Sequence, residues 1–255
     1  MLQLFISGVK PNSGKTFVTA GLASTMQSLG YTSAVYLPIQ TGAKERDGYI
    51  QAPDLVYIKK ADSNIKTYCS YLLKSTDLPL FAAAAEDVLI EKDIIFEDYL
   101  SISERYECFI VNGVSGLSTP LGKNFLEEDL IKMLDIPLLI IASPLDSSFN
   151  EILLTINNAI SKNIRVRGVI LNDCPFKTGD VNIKNLPKMI EEYSDTRVLG
   201  IIPHIHDMRN FKPEDLISTI LTGVDIESVF DVKIAKLRML SLIHISEPTR
   251  HAQIS

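Results

Sequence analysis

The sequence predicts an α/β fold in which a mainly parallel sheet is covered by helices on both faces. Several short segments consist almost entirely of apolar residues, as strands buried on both faces do. These segments alternate with stretches in which apolar residues recur at helical spacing. The chain has 255 residues, of which 46% are hydrophobic and 22% are charged. This composition suits a sizeable core, and we expect one domain over residues 1–225.

The predicted elements follow one another along the chain. Strands are predicted at Leu2–Ile6, Ser33–Ile39, Glu107–Val111, Pro137–Ala142, Val166–Leu171 and Arg197–Ile201. Helices are predicted at 17–29, from Pro53 onward, at 90–106, 127–134, 150–162 and 185–193, and at the periphery over 226–239. The segment from Cys69 to Asp87 has no clear assignment beyond a short helix near Pro79 to Ala85. Right-handed crossovers place the loops that follow the strands at one edge of the sheet, where we expect a ligand.

Charge and composition exclude several classes of partner. The net charge of -6 and the pI near 5.3 argue against nucleic acid or an anionic membrane as the main partner. No apolar stretch reaches the roughly 18 residues of a membrane span, and Met1 leads directly into a strand, so we expect no signal peptide. The three cysteines are far apart and form no CxxC pair, which favours reduced thiols in a cytoplasmic protein.

The C-terminal tail differs from the rest of the chain. Residues 240–255 follow neither helical nor strand periodicity, and their sequence resembles the translation of a transposase adapter used in sequencing libraries. We therefore expect the tail to be non-native and leave it out of fold reasoning.

A glycine-containing loop joins the first predicted strand to the first predicted helix. It reads Ser7-Gly8-Val9-Lys10-Pro11-Asn12-Ser13-Gly14-Lys15-Thr16. Strand, loop and a helix opened by Gly-Lys-Thr are the context of a phosphate-binding loop, although the first glycine lies one residue earlier than in the usual pattern. Main-chain N–H groups and an ammonium group would then converge on nucleotide phosphates. The residues predicted to bind the nucleotide here are Asn12, Ser13, Gly14, Lys15, Thr16 and Phe17. The alternative is a plain strand-to-helix turn.

A magnesium site is predicted beside this loop. Mg²⁺ bound to nucleotide phosphates usually takes a hydroxyl and one or two carboxylates, and Thr16 supplies the hydroxyl. Asp54 is the best carboxylate, although a Pro-Asp pair can also be a simple helix N-cap. Asn112 ends a strand where a second acid would be expected, and it could reach the ion only as a neutral carbonyl donor or through water. The acidic run at 127–129 is interpreted as a solvated helix start rather than a metal site.

The order of these loops resembles that of the ATP-dependent dethiobiotin synthetases, from Met1 to about His204. The matching segments are Gly14–Thr16, Tyr36–Gly42, Ala52–Leu55, Leu78–Ala83, Gly113–Leu121, Asn150–Thr155, Gly168–Asn172 and Gly200–Pro203. The resemblance implies a three-layer P-loop NTPase fold and a homodimer that uses ATP and Mg²⁺ to join a diamine and CO₂ into a cyclic urea. It also implies that Lys15 and Thr41 are catalytic.

The same resemblance implies an adenine site at the ends of the last two strands. Asn172, Pro203 and His204 would lie beside the base, where a side-chain amide can pair with its edge. Asn172 has an alternative role as a turn residue that closes a strand.

The chain departs from this family at three positions. The family's catalytic lysine is replaced by Leu37, and two of its acids are replaced by Asn12 and Asn112. Lys10 lies five residues before Lys15, where the related chromosome-partitioning and septum-site ATPases carry an extra lysine. We hypothesise that Lys10 supplies the γ-phosphate cation that position 37 lacks and is therefore catalytic, the alternative being a solvated loop charge.

Because of these departures, two other functions stay open beside the ligase. One is a diverged ATPase used in regulation or partner switching. The other is a nucleotide-binding paralogue without catalysis.

Overall fold

The apolar segments of the chain form one seven-stranded sheet in which every strand pair is parallel. A computed structural model describes residues 1–46, 48–175, 179–205, 212–235 and 237. In chain order the strands are β1 (Leu2–Gly8), β2 (Ser33–Gln40), β3 (Lys44–Arg46), β4 (Tyr49–Gln51), β5 (Lys66–Leu72), β6 (Cys108–Asn112), β7 (Pro120–Gly122), β8 (Phe125–Leu126), β9 (Leu138–Ala142), β10 (Val166–Cys174) and β11 (Val198–Pro203).

The phosphate loop leaves the sheet at its centre. The strand order in the sheet is β11-β10-β9-β1-β6-β2-β5, so β1 has β9 on one side and β6 on the other. The carboxyl ends of these strands meet at one edge, and their loops are therefore neighbours in space. Two small antiparallel pairs, β3 with β4 and β7 with β8, lie outside this sheet.

Helices cover both faces of the sheet. In chain order they are α1 (Lys15–Ser28), α2 (Pro53–Ala61), α3 (Pro79–Ala85), α4 (Lys92–Ser103), α5 (Glu127–Leu134), α6 (Phe149–Ser161), α7 (Val181–Ser194), α8 (Pro213–Gly223) and α9 (Ile226–Phe230). Successive strand residues face opposite sides, so that Leu4 and Ile6 join the core beneath α1, α2, α8 and α9, while Phe5 joins the core beneath α3 to α7. The predicted three-layer architecture is confirmed.

Two elements that the sequence did not predict lie at the edges of the architecture. β5 pairs only with β2 in the described sheet, and its residues after Lys66 are half-buried, so it lacks the continuous apolar run of a central strand. α8 packs on α1 at Gly21, where a Cβ atom would lie 2.5 Å from Cγ1 of Ile220. This close approach explains a glycine inside a helix, where it otherwise costs stability.

The C-terminal part of the domain contains a shorter helix than the segment predicted over 226–239. α9 buries Ile226, Val229 and Phe230, and it ends at Asp231, which adopts a φ of 53°. Residues 240–255, predicted to be a non-native tail, lie outside the described residues. Within the described residues, no helix has both the length and the apolarity needed to cross a bilayer.

Candidate active site

The loop between β1 and α1 is shaped by two residues in the left-handed region. Asn12 has a φ of 63° and Gly14 has a φ of 91°. A Cβ atom on Gly14 would lie 2.0 Å from Nδ2 of Asn172, so conformation and space both require glycine there. The Asn172 amide in turn donates a hydrogen bond of 3.2 Å to the carbonyl oxygen of Ser13, which ties the loop to the end of β10.

Close packing explains why the first glycine of the loop is at position 8. A Cβ atom on Gly8 would lie 2.4 Å from Oγ of Ser13, 2.8 Å from the carbonyl oxygen of Lys10 and 2.9 Å from that of Ser115. The loop therefore folds back on the end of β1, and a side chain at position 8 would block that path. The displaced glycine is compatible with a phosphate loop.

The Lys15 ammonium group lies inside this loop. Lys15 is the first residue of α1 and is 7% exposed. Burial lowers its pKa from the ordinary value, while the nearby carboxylates of Glu127 and Asp54 act to raise it. The Oγ atom of Ser13, which is also buried, has no hydrogen-bond partner in the described structure. A buried cation, an unpaired hydroxyl and a helix N-terminus are features that fit a phosphate group.

The predicted magnesium ligands Thr16 and Asp54 lie together. The Thr16 hydroxyl donates a 2.8 Å hydrogen bond to Oδ2 of Asp54. Asp54 is not the N-cap of α2, since Ala52 holds that position and Pro53 begins the helix. Hydroxyl and carboxylate oxygens are ligands that Mg²⁺ prefers in proteins, so this pair fits the ion.

A cavity of about 530 Å³ opens in front of the loop. Lys15, Thr16 and Asp54 line it, together with Thr41, which follows the end of β2. Its lining also includes Thr76, Asp77, Leu78 and Pro79 and, after β6, Val114 and Ser115. The volume is that of a small-molecule site. The structure thus brings the predicted catalytic Thr41 to the same space as the phosphate loop.

Glu127 lies beneath this cavity, and its burial corrects the interpretation of the acidic run as a solvated helix start. Glu127 is 0% exposed. Its Oε1 accepts a 2.5 Å hydrogen bond from the Ser7 hydroxyl, and its Oε2 accepts hydrogen bonds of 2.7 and 3.2 Å from the N–H groups of Val114 and Ser115. Burial raises the pKa of Glu127, while Ser7, Lys15 and the two N–H groups act in the opposite direction.

Lys10 points toward α6. Its Nζ atom lies 2.6 Å from Oε1 of Glu151 and donates a 2.8 Å hydrogen bond to the carbonyl oxygen of Asp146. This contact, together with the hydrogen bonds from the N–H group and hydroxyl of Ser148, lowers the pKa of the Glu151 carboxyl to about 2. Lys10 is thus an ion-paired loop residue in this structure, and its predicted action on the γ-phosphate stays a prediction.

The other departures from the expected pattern have different environments. Asn112 is 1% exposed, and its Oδ1 accepts a 2.8 Å hydrogen bond from the Thr19 hydroxyl of α1. Leu37 is 2% exposed and belongs to the core between β2 and α1. Asn112 joins β6 to α1 in this structure, and its use as a metal ligand stays a prediction.

The predicted adenine residues lie along the ends of β10 and β11. The N–H group of His204 donates to the carbonyl oxygen of Cys174, and Nδ1 of His204 lies 2.5 Å from Oδ1 of Asp173. Pro203 is paired with Cys174 in the sheet. Phe17, predicted on the loop side, packs its ring into the core at 9% exposure. Contacts of these residues with a nucleotide stay predictions.

Sequence reasoning missed the burial of Glu127, although the spacing of apolar residues in α5 indicates it. In α5, Leu130, Ile131 and Leu134 are buried, and position 127 lies on the same face because three or four residues separate neighbours on a helix face. That spacing indicates burial of Glu127. No comparable periodicity marks Thr76 or Asp77, which are loop residues, whereas Val114 and Ser115 lie in the matching segment Gly113–Leu121.

Comparison with known proteins agrees with this geometry. The AAA domain family profile matches residues 2–212. The chain is 33% identical over 219 residues to the ATP-dependent dethiobiotin synthetase BioD of Anoxybacillus flavithermus, covering 85% of this chain and 97% of that protein. It is 29% identical to the BioD protein of Bacillus licheniformis, covering 81% of this chain and 88% of that one.

Solved structures with low identity share the fold. A ParA family ATPase from Chlorobium tepidum superposes with a TM-score of 0.54 at 12% identity, covering 96% of this chain and 98% of that one. The McdA–ATP complex from Cyanothece gives a TM-score of 0.56 at 14% identity, covering 98% and 99% of the two chains.

Proposed function

The chain belongs to the family of ATP-dependent dethiobiotin synthetases, and from this premise we propose that it is an ATP- and Mg²⁺-dependent cyclo-ligase. Its substrates would be diaminononanoate and CO₂, and its product a cyclic urea. The observation that carries the proposal is the buried Lys15 beside the Thr16–Asp54 pair, at a cavity that is also lined by hydroxyl, carboxylate and apolar groups. Such a cavity has room for the reacting end of a triphosphate and for a small substrate.

The proposed reaction has three steps. One amine of the substrate adds to CO₂ and forms a carbamate. A carbamate oxygen then attacks the γ-phosphorus of ATP, and ADP leaves. The second amine attacks the carbonyl carbon of the resulting mixed anhydride, which closes the ring and releases phosphate.

The protein's part in this reaction is positioning and charge neutralisation. Thr16 and Asp54 would hold Mg²⁺, which when bound neutralises phosphate charge. Lys15 would donate to phosphate oxygens from inside the loop. Thr41, from the end of β2, would face the carbamate.

An assay with ATP, Mg²⁺, bicarbonate and diaminononanoate tests the proposal. ADP and cyclic urea should appear together, and only when the diamine is present. ADP formed without dependence on the diamine would favour the second candidate, a diverged ATPase. That candidate is favoured by Leu37, which is packed in the core at the position where the family carries a catalytic lysine. Nucleotide binding without formation of ADP would favour the third candidate, a nucleotide-binding paralogue without catalysis.

The homodimer and the cytoplasmic location are part of the proposal. Leu78, which lines the cavity, is 44% exposed and Phe81 is 60% exposed, and a second copy could cover such apolar side chains. Light scattering coupled to size-exclusion chromatography should give twice the mass of one chain.

Asp54→Asn should weaken the response to Mg²⁺. The asparagine oxygen can still accept from Thr16, but the charge that attracts the cation is lost. We expect about a tenfold or larger rise in the Mg²⁺ concentration needed for half-maximal ATP binding. Asp62→Asn, at the other end of α2, is the control and should leave the Mg²⁺ titration unchanged. Equal titrations for the two variants would remove Asp54 from the metal site.

Lys10→Ala should lower turnover if Lys10 replaces the cation missing at position 37. The expected loss in kcat is about 100-fold, the usual effect of removing one group that stabilises developing charge. Glu151→Gln is the control: it breaks the ion pair but keeps an oxygen that can accept from Ser148 at the N-terminus of α6, so turnover should be retained or increased. Wild-type turnover in Lys10→Ala would show that Lys10 is a charged loop residue without a catalytic role.

A further inference from the structure

Glu127 connects three parts of the phosphate site. Through Oε1 it accepts from Ser7, near the end of β1, and through Oε2 it accepts from the main chain of Val114 and Ser115. Val114 and Ser115 line the cavity. Lys15 lines the same cavity, and the charges of Lys15 and Glu127 act on each other's pKa. A fully buried acid is retained at a cost in desolvation, so its position calls for a reason.

The Glu127 carboxylate lies at the carboxyl end of β6. An atom placed as Cβ on Gly113, the residue after Asn112, would lie 2.6 Å from Oε1 of Glu127. The strand itself ends in the neutral Asn112, whose amide oxygen is used by Thr19. The helix α5 therefore brings a carboxylate to the strand end that carries none of its own.

We propose that Glu127 is a positioning residue of the nucleotide site, which fixes Val114 and Ser115 at the cavity and whose negative charge makes tight ATP binding depend on a bound cation. This inference rests on the proposed nucleotide binding but not on the ligase reaction. Its physical basis is simple electrostatics in a poorly solvated place. A buried carboxylate repels a triphosphate whose charge is not neutralised by Mg²⁺.

Glu127→Gln separates charge from shape. The amide keeps the size of the side chain and an oxygen that can accept from the two N–H groups, so the fold should be retained. ATP affinity is measured by calorimetry with Mg²⁺ and with a chelator, at mildly alkaline pH because burial raises the pKa of Glu127. Without Mg²⁺, the variant should bind ATP about tenfold more tightly than the wild type, because the repulsion between the buried carboxylate and the phosphates is removed. With Mg²⁺ it should gain nothing, so the ratio of the two affinities falls.

Glu128→Gln is the matched control for a buried acid in the same helix. Glu128 is 3% exposed, but it faces Lys162 and Asn158, at 2.9 and 2.6 Å. Its replacement should alter thermal stability without changing the affinity ratio. A purely structural role of Glu127 predicts the same behaviour for both variants.

A second test restores a negative charge at this site from β6 instead of α5. Asn112→Asp keeps an oxygen that can accept from Thr19, and it places a carboxylate on β6 itself. In the Glu127→Gln background it should bring the affinity ratio back toward the wild-type value.

The outcomes are distinguishable. An unchanged ratio in Glu127→Gln, with tight ATP binding by the wild type, overturns the role of Glu127 and leaves the proposed function intact. Absence of ATP binding by the wild type overturns both. A reduced ratio in Glu127→Gln with an unchanged ratio in Glu128→Gln supports the inference.

Discussion

Lys15→Ala should weaken Mg²⁺-dependent ATP binding by about 100-fold or more. Lys15 is 7% exposed, and the charges of Glu127 and Asp54 act on the pKa of its ammonium group. In the ATP complex the ammonium would pair with phosphate oxygens, and removing one partner of a buried charge pair typically costs on the order of 3 kcal/mol, which corresponds to that factor. Here the loss is increased because the remaining negative charges would face the phosphates directly. Calorimetry with ATP and Mg²⁺ measures the change, and turnover should disappear with it.

The control for Lys15→Ala is Lys59→Ala. Lys59 is a half-buried residue of α2 whose Nζ atom donates to the carbonyl oxygen of Ser63. The two substitutions change the net charge equally, so a general electrostatic effect would appear in both. Wild-type ATP affinity in Lys15→Ala would remove the phosphate loop from the proposed function.

Gly14→Ala should damage both the loop and the fold. At a φ of 91°, alanine costs about 1–2 kcal/mol relative to glycine, and its Cβ atom would collide with the Asn172 amide at 2.0 Å. Overpacking of this kind adds roughly 1–3 kcal/mol. We expect the melting temperature to fall by about 5 °C or more. Binding should also be lost, since Gly14 immediately precedes the helix that presents Lys15.

Gly48→Ala isolates the conformational part of this effect. Gly48 has a φ of 78°, and nothing lies within 4 Å of the position of its Cβ atom. It is in the turn between β3 and β4, away from the loop. Its replacement should cost only the conformational term, with ATP affinity unchanged. Equal melting temperatures for the two variants would contradict the collision with Asn172.

Much of the fold could be predicted because local patterns carry it. Central strands such as β6 and β9 are continuous apolar runs, and this composition predicts their burial on both faces. β5 was not predicted, because this edge strand is only half-buried and mixes tyrosine, serine and cysteine. α8 was missed although its buried residues, Leu216 and Ile220, follow helical spacing.

In the candidate site, too, local patterns predict some residues, whereas contacts between distant residues could not be predicted. Residues 12–16 were predicted from a short continuous pattern, because a phosphate loop is built from neighbours in the chain. Lys10 could be located by its spacing from Lys15, but its partner Glu151 is 141 positions away in the sequence and could not be chosen by any local rule. The link between Asn172 and Ser13 is of the same kind.

The sequence by itself determined the layered α/β class, the phosphate loop and the membership of a nucleotide-dependent family. Periodicity identifies which face of each element is buried, and spacing identifies a loop made of consecutive residues. Only the tertiary structure decided that Glu127 contacts Ser7 at the end of β1 and that Lys10 faces α6. These contacts depend on the order of strands β9, β1 and β6 in the sheet and on how the helices pack on it. Hydrophobic burial fixes that packing through the whole core at once, so no single stretch of sequence contains it.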